Sequence, residues 1–227
     1  MPTIAADVRW IALAKPAGLP VFPPHRDPDG DCVLARMLLR HPEQADQDWP
    51  AGFAGGIAHR LDIPTSGQLL VARTPADLDW LRSLFSEKKL SKSYRLLTGR
   101  KVSWTRHTIA APIAHDRRKK GRVVVKRGQQ TPHRGRWLPA ETHFRWLGQA
   151  GDFGCWEARM RTGVMHQIRV HAGFAGIALA GDRRYGGGPE VDSFSAHFAL
   201  HHVGLKGPGL HPPPVPVPGW WPPLSGA

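Results

Sequence analysis

Long apolar runs are missing from this sequence of 227 residues. None approaches the length of about 18 residues that a membrane-spanning helix requires. The sequence start has no basic stretch followed by an apolar one, so a secretory signal is not expected. Cysteine is scarce as well, because only Cys32 and Cys155 occur, far apart and without a CxxC pair. We therefore expect a cytoplasmic protein that has neither a membrane anchor nor a disulfide framework.

Acidic residues are few compared with basic ones. Lys and Arg number 31 against 18 Asp and Glu, which gives a formal net charge of +13. Such a balance favours a polyanionic partner, and nucleic acid is the first choice. The 41% hydrophobic content is enough for a substantial core, so we predict one domain over residues 1–206 and a Pro/Gly-rich tail over residues 207–227.

A metal-binding pattern is also missing, although the chain has 13 histidines. His197 and His201 have a spacing of four residues, which can place two rings on one helix face, and His202 follows directly. No HExxH motif and no cysteine cluster accompanies them, and both are common features of zinc sites. We expect no metal site.

One loop stands out in what the sequence does contain. Residues 58–67 read Ala-His-Arg-Leu-Asp-Ile-Pro-Thr-Ser-Gly. Pro64 fixes its own φ angle and disfavours helix at the residue before it, so a shaped loop that carries Asp62 is expected. Two interpretations have equal weight from these residues alone. Asp62 is either a turn residue paired with Arg60 or a carboxylate held at the edge of a cleft.

Apolar patterning predicts the main elements. Strands are expected at residues 8–13, 68–72, 90–97, 141–146 and 155–160, with a last regular segment at 194–205. A short helix should begin near Val33, and a second should follow Thr74, because Thr is a cap, Pro75 suits the first helical position and Asp77 lies three residues after the cap. A third helix should open around His166.

A basic stretch lies at residues 117–136. It holds nine Lys or Arg residues and no Asp or Glu, with Val123, Val124 and Val125 between two basic clusters. This pattern predicts a basic hairpin, an insertion at about residues 115–136. Closely spaced cations suit contact with phosphates, and the alternative is an ordinary solvated charge run.

Several separated stretches together resemble, in the right order, the RluA-type family of RNA pseudouridine synthases. They are residues 14–19, His59-Arg60-Leu61-Asp62 with Thr65-Ser66-Gly67, Lys92-Ser93-Tyr94, Thr162-Gly163 with residues 166–171, residues 181–186 and Leu200-His201. The resemblance implies an α+β fold with a mixed, mostly antiparallel sheet, flanking helices and a central basic cleft. It also implies a reaction without cofactor or metal, in which uracil is detached from its ribose, rotated and rejoined through carbon 5.

The resemblance also implies roles for individual residues. Asp62 would be the essential carboxylate, acting as nucleophile or as base, Tyr94 would stack on the base and Arg169 would pair with the carboxylate. Arg60 would fill the gap left by the flipped-out uridine, since the reacting atoms are inaccessible in a stacked strand. The expected substrate contacts also include His59, Thr65, Lys92, Ile168 and Leu200. The expected contacts with the RNA backbone are Lys15, Arg117, Arg118, Lys119, Lys120, Arg122, Lys126 and Arg127.

The chain departs from the family pattern at three positions. Val164 stands where the family usually has arginine, Met165 replaces a small polar residue, and His202 replaces a small residue. Val164 and His202 support a rival hypothesis, an inactive RNA-binding protein on the same fold. A hydrolase with Ser66 as nucleophile ranks lower because the GxSxG frame is absent. We expect a monomer that isomerises a uridine in structured RNA, either ribosomal or transfer RNA.

Overall fold

The computed structural model describes residues 1–99, 102–187 and 198–225. The helices and strands, in chain order, are β1 (Thr3–Ala6), β2 (Trp10–Lys15), α1 (Val33–Leu38), β3 (Ser66–Ala72), α2 (Pro75–Ser86), β4 (Ser91–Thr98), β5 (Arg106–Ala110), β6 (Ile113–Asp116), β7 (Val123–Val125), β8 (His133–Leu138), β9 (Glu141–Ala150), β10 (Phe153–Met160), α3 (Gln167–Phe174) and β11 (Leu200–Lys206). Two short 3-10 turns, Pro42–Gln44 and Ala54–Gly56, lie between α1 and β3.

The chain forms two compact units. Unit 1 comprises Met1–Lys92 and His201–Pro218, and unit 2 comprises Ser93–Leu200 and Gly219–Ala227. The Pro/Gly-rich tail contributes to both cores, because Leu210 is fully buried in unit 1 and Trp221 is 7% exposed in unit 2. The expected division into one catalytic domain and a separate tail stays a prediction.

Unit 1 is built on strands in the order β1-β2-β3-β11. The first two pairings are antiparallel, and β3 and β11 are parallel. The predicted cap of α2 is confirmed, since the Thr74 side chain accepts a hydrogen bond from the amide of Asp77. Leu78 and Leu81 of this helix are buried in the same core as Leu70 of β3. An apolar helix face on an apolar strand therefore holds the unit together.

Unit 2 has strands in the order β4-β10-β9-β5 and a smaller sheet in the order β7-β6-β8. The β9–β10 and β5–β9 pairings are antiparallel, as are both pairings of the smaller sheet. Helix α3 contributes Val170 to a core with Ile113, Val123 and Tyr185. A second core contains both Leu97 and Trp221.

The predicted fold class is confirmed, because the sheets are mixed and mostly antiparallel and helices accompany them. The basic cleft stays a prediction. Strands β1 and β5 were not predicted, since they are short and mostly exposed and so lack a clear apolar alternation. The segment expected at 194–205 is a strand from Leu200, and residues 194–197 lie outside the described residues. None of the described helices combines the length and the apolar character needed to cross a membrane.

Candidate functional site

The loop that carries Asp62 belongs to unit 1, and its backbone is fixed by neighbouring hydrogen bonds. The amide of Thr65 donates to the carbonyl oxygen of Asp62 at 2.9 Å, which closes a turn around Pro64. The amide of Gly18 donates to the carbonyl oxygen of Ile63, also at 2.9 Å. The Asp62 side chain is half-buried, whereas Ile63 is 51% exposed. The turn therefore holds its carboxylate at the boundary between protein and solvent.

Lys15 lies beneath this loop and holds it from inside. Its Nζ donates to the carbonyl oxygens of Thr65 at 2.7 Å, Ile63 at 2.9 Å and Pro16 at 3.0 Å. Burial lowers the pKa of Lys15 to about 8, and the Asp62 carboxylate opposes that shift. The side chain is only 2% exposed. The expected contact between Lys15 and the RNA backbone is therefore corrected, because the ammonium is buried and bound to carbonyl oxygens of the chain itself.

Gly67 follows the loop at a position where only glycine fits. Its φ is +118°, and a Cβ there would lie 2.1 Å from the carbonyl oxygen of His202. Gly67 and His202 are partners in the parallel pairing of β3 with β11. The close approach of these two backbones gives a physical reason for the glycine that ends the sequence motif.

Ser66 and His201 form a buried pair in unit 1. Ser66 Oγ lies 2.9 Å from His201 Nδ1, and His201 Nε2 lies 3.1 Å from the carbonyl oxygen of Val215. Because a carbonyl oxygen only accepts, Nε2 donates to it and Nδ1 accepts from the serine hydroxyl. Ser66 is 2% exposed and His201 is 1% exposed. A buried serine of this kind does not present its hydroxyl to a substrate, which weakens the hydrolase hypothesis.

His59, Lys92 and His202 form a polar cluster inside unit 1. The rings of His59 and His202 are 5.7 Å apart, and Lys92 Nζ lies 5.2 Å from the centre of the Phe85 ring. His59 Nε2 accepts a hydrogen bond from the amide of Leu70 at 3.1 Å. That nitrogen therefore stabilises β3. This is a structural role, whereas the sequence had suggested only a substrate contact for His59.

Burial controls the charge of this cluster. It lowers the pKa of His59 well below its usual range and the pKa of His202 to about 3. It also lowers the pKa of Lys92 to about 8. Both imidazoles are therefore neutral at pH 7, while the lysine keeps most of its positive charge.

In unit 2, Arg169 is bound by a carboxylate that the sequence did not single out. Its Nε and Nη2 donate to the two oxygens of Asp182 at 2.7 and 3.0 Å, and both residues are buried. The guanidinium also lies over the rings of Phe198 at 4.2 Å and Tyr185 at 5.1 Å. A bidentate pair between aromatic rings fixes the orientation of Arg169.

The other substrate contacts expected in unit 2 are apolar or aromatic and buried. Tyr94 on β4 is 7% exposed, Ile168 is 3% exposed and Leu200 is 6% exposed. Of those expected in unit 1, Thr65 is buried in the Asp62 loop and Arg60 is exposed. Asp62 belongs to unit 1, whereas Tyr94 and Arg169 belong to unit 2, so their grouping around one substrate stays a prediction.

The entrance to α3 explains one departure from the family pattern. His166 adopts the left-handed conformation with φ 54° and ψ 20°, and its Nδ1 lies 2.9 Å from the hydroxyl of Tyr185. The Gln167 side chain accepts from the amide of Val164 and donates to the carbonyl oxygen of Glu141. Val164 packs against the apolar core of unit 2. Its side chain therefore has a packing role in place of the arginine that the family usually has.

Part of the basic stretch forms a hairpin. β6 and β7 pair antiparallel, and the turn between them exposes Arg117, Arg118, Lys119 and Lys120, with Arg122 partly exposed. Asp116 shapes this turn, because one of its carboxylate oxygens accepts from the amides of Arg118 at 2.8 Å and Lys119 at 3.3 Å.

A second turn follows β7 and leaves Lys126 and Arg127 exposed. There the hydroxyl oxygen of Thr131 accepts from the amide of Arg127 at 3.0 Å. The contacts of both turns with RNA stay predictions.

With this geometry in place, comparison with known proteins identifies the family. The sequence profile of the RNA pseudouridylate synthases matches residues 9–173. The chain belongs to the RNA pseudouridine synthase family. Relatives named as ribosomal large subunit pseudouridine synthase D support the RluA type, so the predicted resemblance is confirmed.

Curated members of the pseudouridine synthase family match most of this chain. An uncharacterized RNA pseudouridine synthase of Chloroflexus aurantiacus is 38% identical over 172 residues, which cover 76% of this chain and 50% of that protein. The ribosomal large subunit pseudouridine synthase D of Xanthomonas campestris is 35% identical over 207 residues, which cover 90% of this chain and 58% of that protein. The chain thus spans between half and three fifths of the length of these relatives.

Solved pseudouridylate synthases share the fold. Human RNA pseudouridylate synthase domain containing 1 superposes with a TM-score of 0.74 at 22% identity, covering 97% of this chain and 87% of the human one. Human RNA pseudouridylate synthase domain containing 4 gives a TM-score of 0.66 at 20% identity, covering 89% of this chain and 82% of that one.

Asp182 is the site residue that the sequence reasoning missed. The signal was present, because Gly181-Asp182 is part of the family resemblance, yet nothing in the sequence paired it with Arg169.

Among the described residues, no group of three or more His, Cys, Asp or Glu is placed to hold a metal ion. His197 lies outside the described residues, so the histidine spacing noted above is not tested.

Proposed function

We propose that this protein isomerises uridine to pseudouridine in RNA, with Asp62 as the essential carboxylate. Family membership supports the reaction class, and the anchored loop supports the residue. The observation that carries the proposal is the support of the Asp62 turn by Lys15 from inside and by Gly18 at its side. Catalysis of covalent or proton-transfer type requires such a fixed carboxylate.

The proposed roles of the remaining residues follow from their chemistry. Tyr94 would stack on the uracil, with Ile168 and Leu200 as apolar walls, and Arg169 would stabilise the ionised form of Asp62. The two hydrogen bonds that Arg169 donates to the Asp182 carboxylate support that role, because they fix the direction of the guanidinium. Arg60, which is exposed, would take the place of the extruded base in the RNA.

The proposed substrate is a structured RNA. The names of the large-subunit relatives favour ribosomal RNA over transfer RNA, and the exposed cations of the basic hairpin would neutralise backbone phosphates. The alternative remains an inactive RNA-binding protein on the same fold. The fixed Asp62 loop and the fixed Arg169 favour the enzyme, since a protein that only binds RNA needs neither.

Substitution of Asp62 tests the proposal. Asp62→Asn keeps the shape of the side chain and removes its charge, so pseudouridine formation should fall below detection while RNA affinity changes less than about threefold, because the proposed phosphate contacts lie elsewhere. The measurement maps pseudouridines in ribosomal and transfer RNA from cells with the wild-type protein, with the variant and without the gene.

The matched control is Asp46→Asn, which makes the same charge change at an exposed carboxylate of unit 1. It should modify RNA at the wild-type rate. A uridine still modified by Asp62→Asn would exclude Asp62 as the catalytic group. A wild-type protein that binds RNA and modifies no uridine would favour the inactive alternative.

A further inference from the structure

A row of charged residues crosses the sheet of unit 2. Arg95 on β4, Glu157 on β10, Arg145 on β9 and Arg106 on β5 succeed one another in the strand order. The pairing registers place Glu157 opposite Arg145 and Arg145 opposite Arg106. Arg95 completes the row, because its Nη1 lies 3.2 Å from Glu157 Oε1. Residues opposite each other on neighbouring strands share a face of the sheet, so this row lies on one face.

Glu157 is the centre of this row. Its Oε1 accepts from Arg95 and from Arg159 Nη2, both at 3.2 Å, and from Ser93 Oγ at 3.1 Å. Its Oε2 lies 3.0 Å from both Arg145 and Arg159. Burial raises the pKa of Glu157, but the hydrogen bonds from Arg145 and Arg159 outweigh it and the net shift is downward. One carboxylate with a side chain only 6% exposed therefore orients three arginines.

The three guanidiniums retain donors toward solvent. Side-chain exposure is 29% for Arg95, 46% for Arg145 and 57% for Arg159. Each guanidinium has five N–H donors, and one carboxylate does not use them all. Three positive charges around one negative charge leave a local excess of positive charge.

Arg106 increases that excess. It is exposed and lies directly opposite Arg145 in the β5–β9 pairing. Like charges directly opposite each other on neighbouring strands destabilise a sheet. Stability alone therefore does not explain this arrangement, whereas a bound anion would relieve the repulsion.

We propose that these four arginines, Arg95, Arg106, Arg145 and Arg159, form an arginine patch that binds the phosphodiester backbone of RNA. The guanidinium fork matches phosphate oxygens in a bidentate way. Strands are spaced by about 4.8 Å, so the row presents cations in a regular line suited to a chain of phosphates. The patch lies on the face of β4 opposite Tyr94, because successive side chains of a strand point to opposite faces. The choice of RNA as the polyanion rests on the proposed function.

Neutralisation of Arg145 and Arg159, the two more exposed of the three arginines around Glu157, tests the arginine patch. The double variant Arg145→Gln/Arg159→Gln should bind bulk transfer RNA about tenfold more weakly at low salt. With a single-stranded probe, the slope of log affinity against log salt should fall by about 1.4, since each lost phosphate contact removes about 0.7 there. A 30-nucleotide polyuridylate probe gives the matching single-strand measurement.

The matched control is Arg36→Gln/Arg82→Gln. These arginines have side-chain exposures of 42% and 46%, and each pairs with one carboxylate, Asp31 and Asp79 respectively. The control removes the same net charge. Because neither arginine belongs to the arginine patch, the affinity for RNA should change much less. Equal losses in the two double variants, or no loss in the patch variant, would overturn the proposal.

A second measurement uses the wild-type protein and does not depend on variant folding. Phenylglyoxal labels accessible arginines, and mass spectrometry reports the sites. Transfer RNA should protect Arg145 and Arg159 at least fivefold, while polyglutamate of similar charge should not. Protection by polyglutamate alone would assign the patch to an acidic protein instead. Both assays measure RNA binding and not turnover. RNA binding by the patch would therefore support this proposal even if the protein modified no uridine. Conversely, modification of a uridine would support the proposed function even if the patch did not bind RNA.

Discussion

Lys15 Nζ lies 2.7 Å from the carbonyl oxygen of Thr65, although 50 residues separate the two in sequence. The same nitrogen lies 2.9 Å from the carbonyl oxygen of Ile63. These contacts tie the end of β2 to the loop that presents Asp62. Lys15, in the first stretch that resembles the family (residues 14–19), therefore positions the loop that carries Asp62.

Replacement of Lys15 by methionine should weaken both the fold and the reaction. Lys15→Met removes the hydrogen bonds that the buried ammonium donates to three carbonyl oxygens, which should lower the free energy of unfolding by roughly 1–3 kcal/mol. Turnover should fall more than RNA affinity, because the loop loses its support while the basic hairpin is unchanged. Urea denaturation and single-turnover kinetics measure the two effects. Lys206→Met, at an exposed lysine, is the control and should change neither quantity. Full activity of Lys15→Met would refute the positioning role.

Loss of the Asp182 carboxylate should be costly in unit 2. Asp182→Asn removes the carboxylate charge that holds the buried Arg169 guanidinium, and removal of one member of a buried ion pair costs about 3–5 kcal/mol. Thermal and denaturant unfolding measure the loss. The comparison is Asp79→Asn, whose partner Arg82 is exposed. That change should cost about 0–1 kcal/mol. Similar losses for both variants would show that the Asp182 pair contributes no more than a surface pair.

His202 predicts a specific dependence of stability on acid. Burial lowers its pKa from the ordinary value of 6.5 to about 3. Between these pH values the unfolded chain binds a proton that the folded chain does not, so stability present above pH 6.5 is lost as the pH falls toward 3. His202→Asn retains a donor for the carbonyl oxygen of Gln68, which His202 Nδ1 contacts at 2.7 Å. Unfolding free energies measured at several pH values should show a slope smaller by up to about 1.4 kcal/mol per pH unit.

The control for this acid dependence is His25→Asn, at an exposed histidine. Its slope should match that of the wild type. An unchanged slope in His202→Asn would mean that His202 does not resist protonation in the folded state.

The basic hairpin should control the salt dependence of RNA binding. Replacement of Arg118, Lys119 and Lys120 by alanine removes three exposed cations, so the slope of log affinity against log salt should fall by about 2. Filter binding or fluorescence anisotropy at several salt concentrations measures it. An unchanged slope would remove this turn from the RNA interface.

The triple variant needs a control with the same charge loss. Alanine at Arg36, Arg40 and Arg82 removes three cations from unit 1, which contains neither of the proposed RNA surfaces. The salt slope of this variant should stay close to that of the wild type. Equal reductions in the two triple variants would assign the effect to net charge instead of local contact.

Local sequence patterns were sufficient for many elements. Thr74, Pro75 and Asp77 predicted the start of α2, because a cap and its partner lie within one turn of each other. Residues 117–136 predicted a basic hairpin, because charge clusters around a short apolar run mark a turn beside a strand. The Asp62 loop was predicted from Pro64 in the same way. In each case the interacting residues are neighbours in sequence.

Contacts across long distances in sequence were not predictable. The sequence suggested Lys15 as a phosphate contact, and only the fold showed that its ammonium is buried under the Asp62 loop. Gly67 looked like a turn residue, and the approach of β11 gives the reason for its small size. Glu157 attracted no notice in the sequence, because its arginine partners come from three different strands.

By itself, the sequence determined the family, the fold class and the loop that carries Asp62, because these depend on short motifs and on the periodicity of apolar residues. The tertiary structure alone decided which charges meet. It placed Asp182 against Arg169, Lys15 under the turn at Thr65 and three arginines around Glu157. Such pairings depend on sheet register and on packing between distant segments, and no local pattern encodes them.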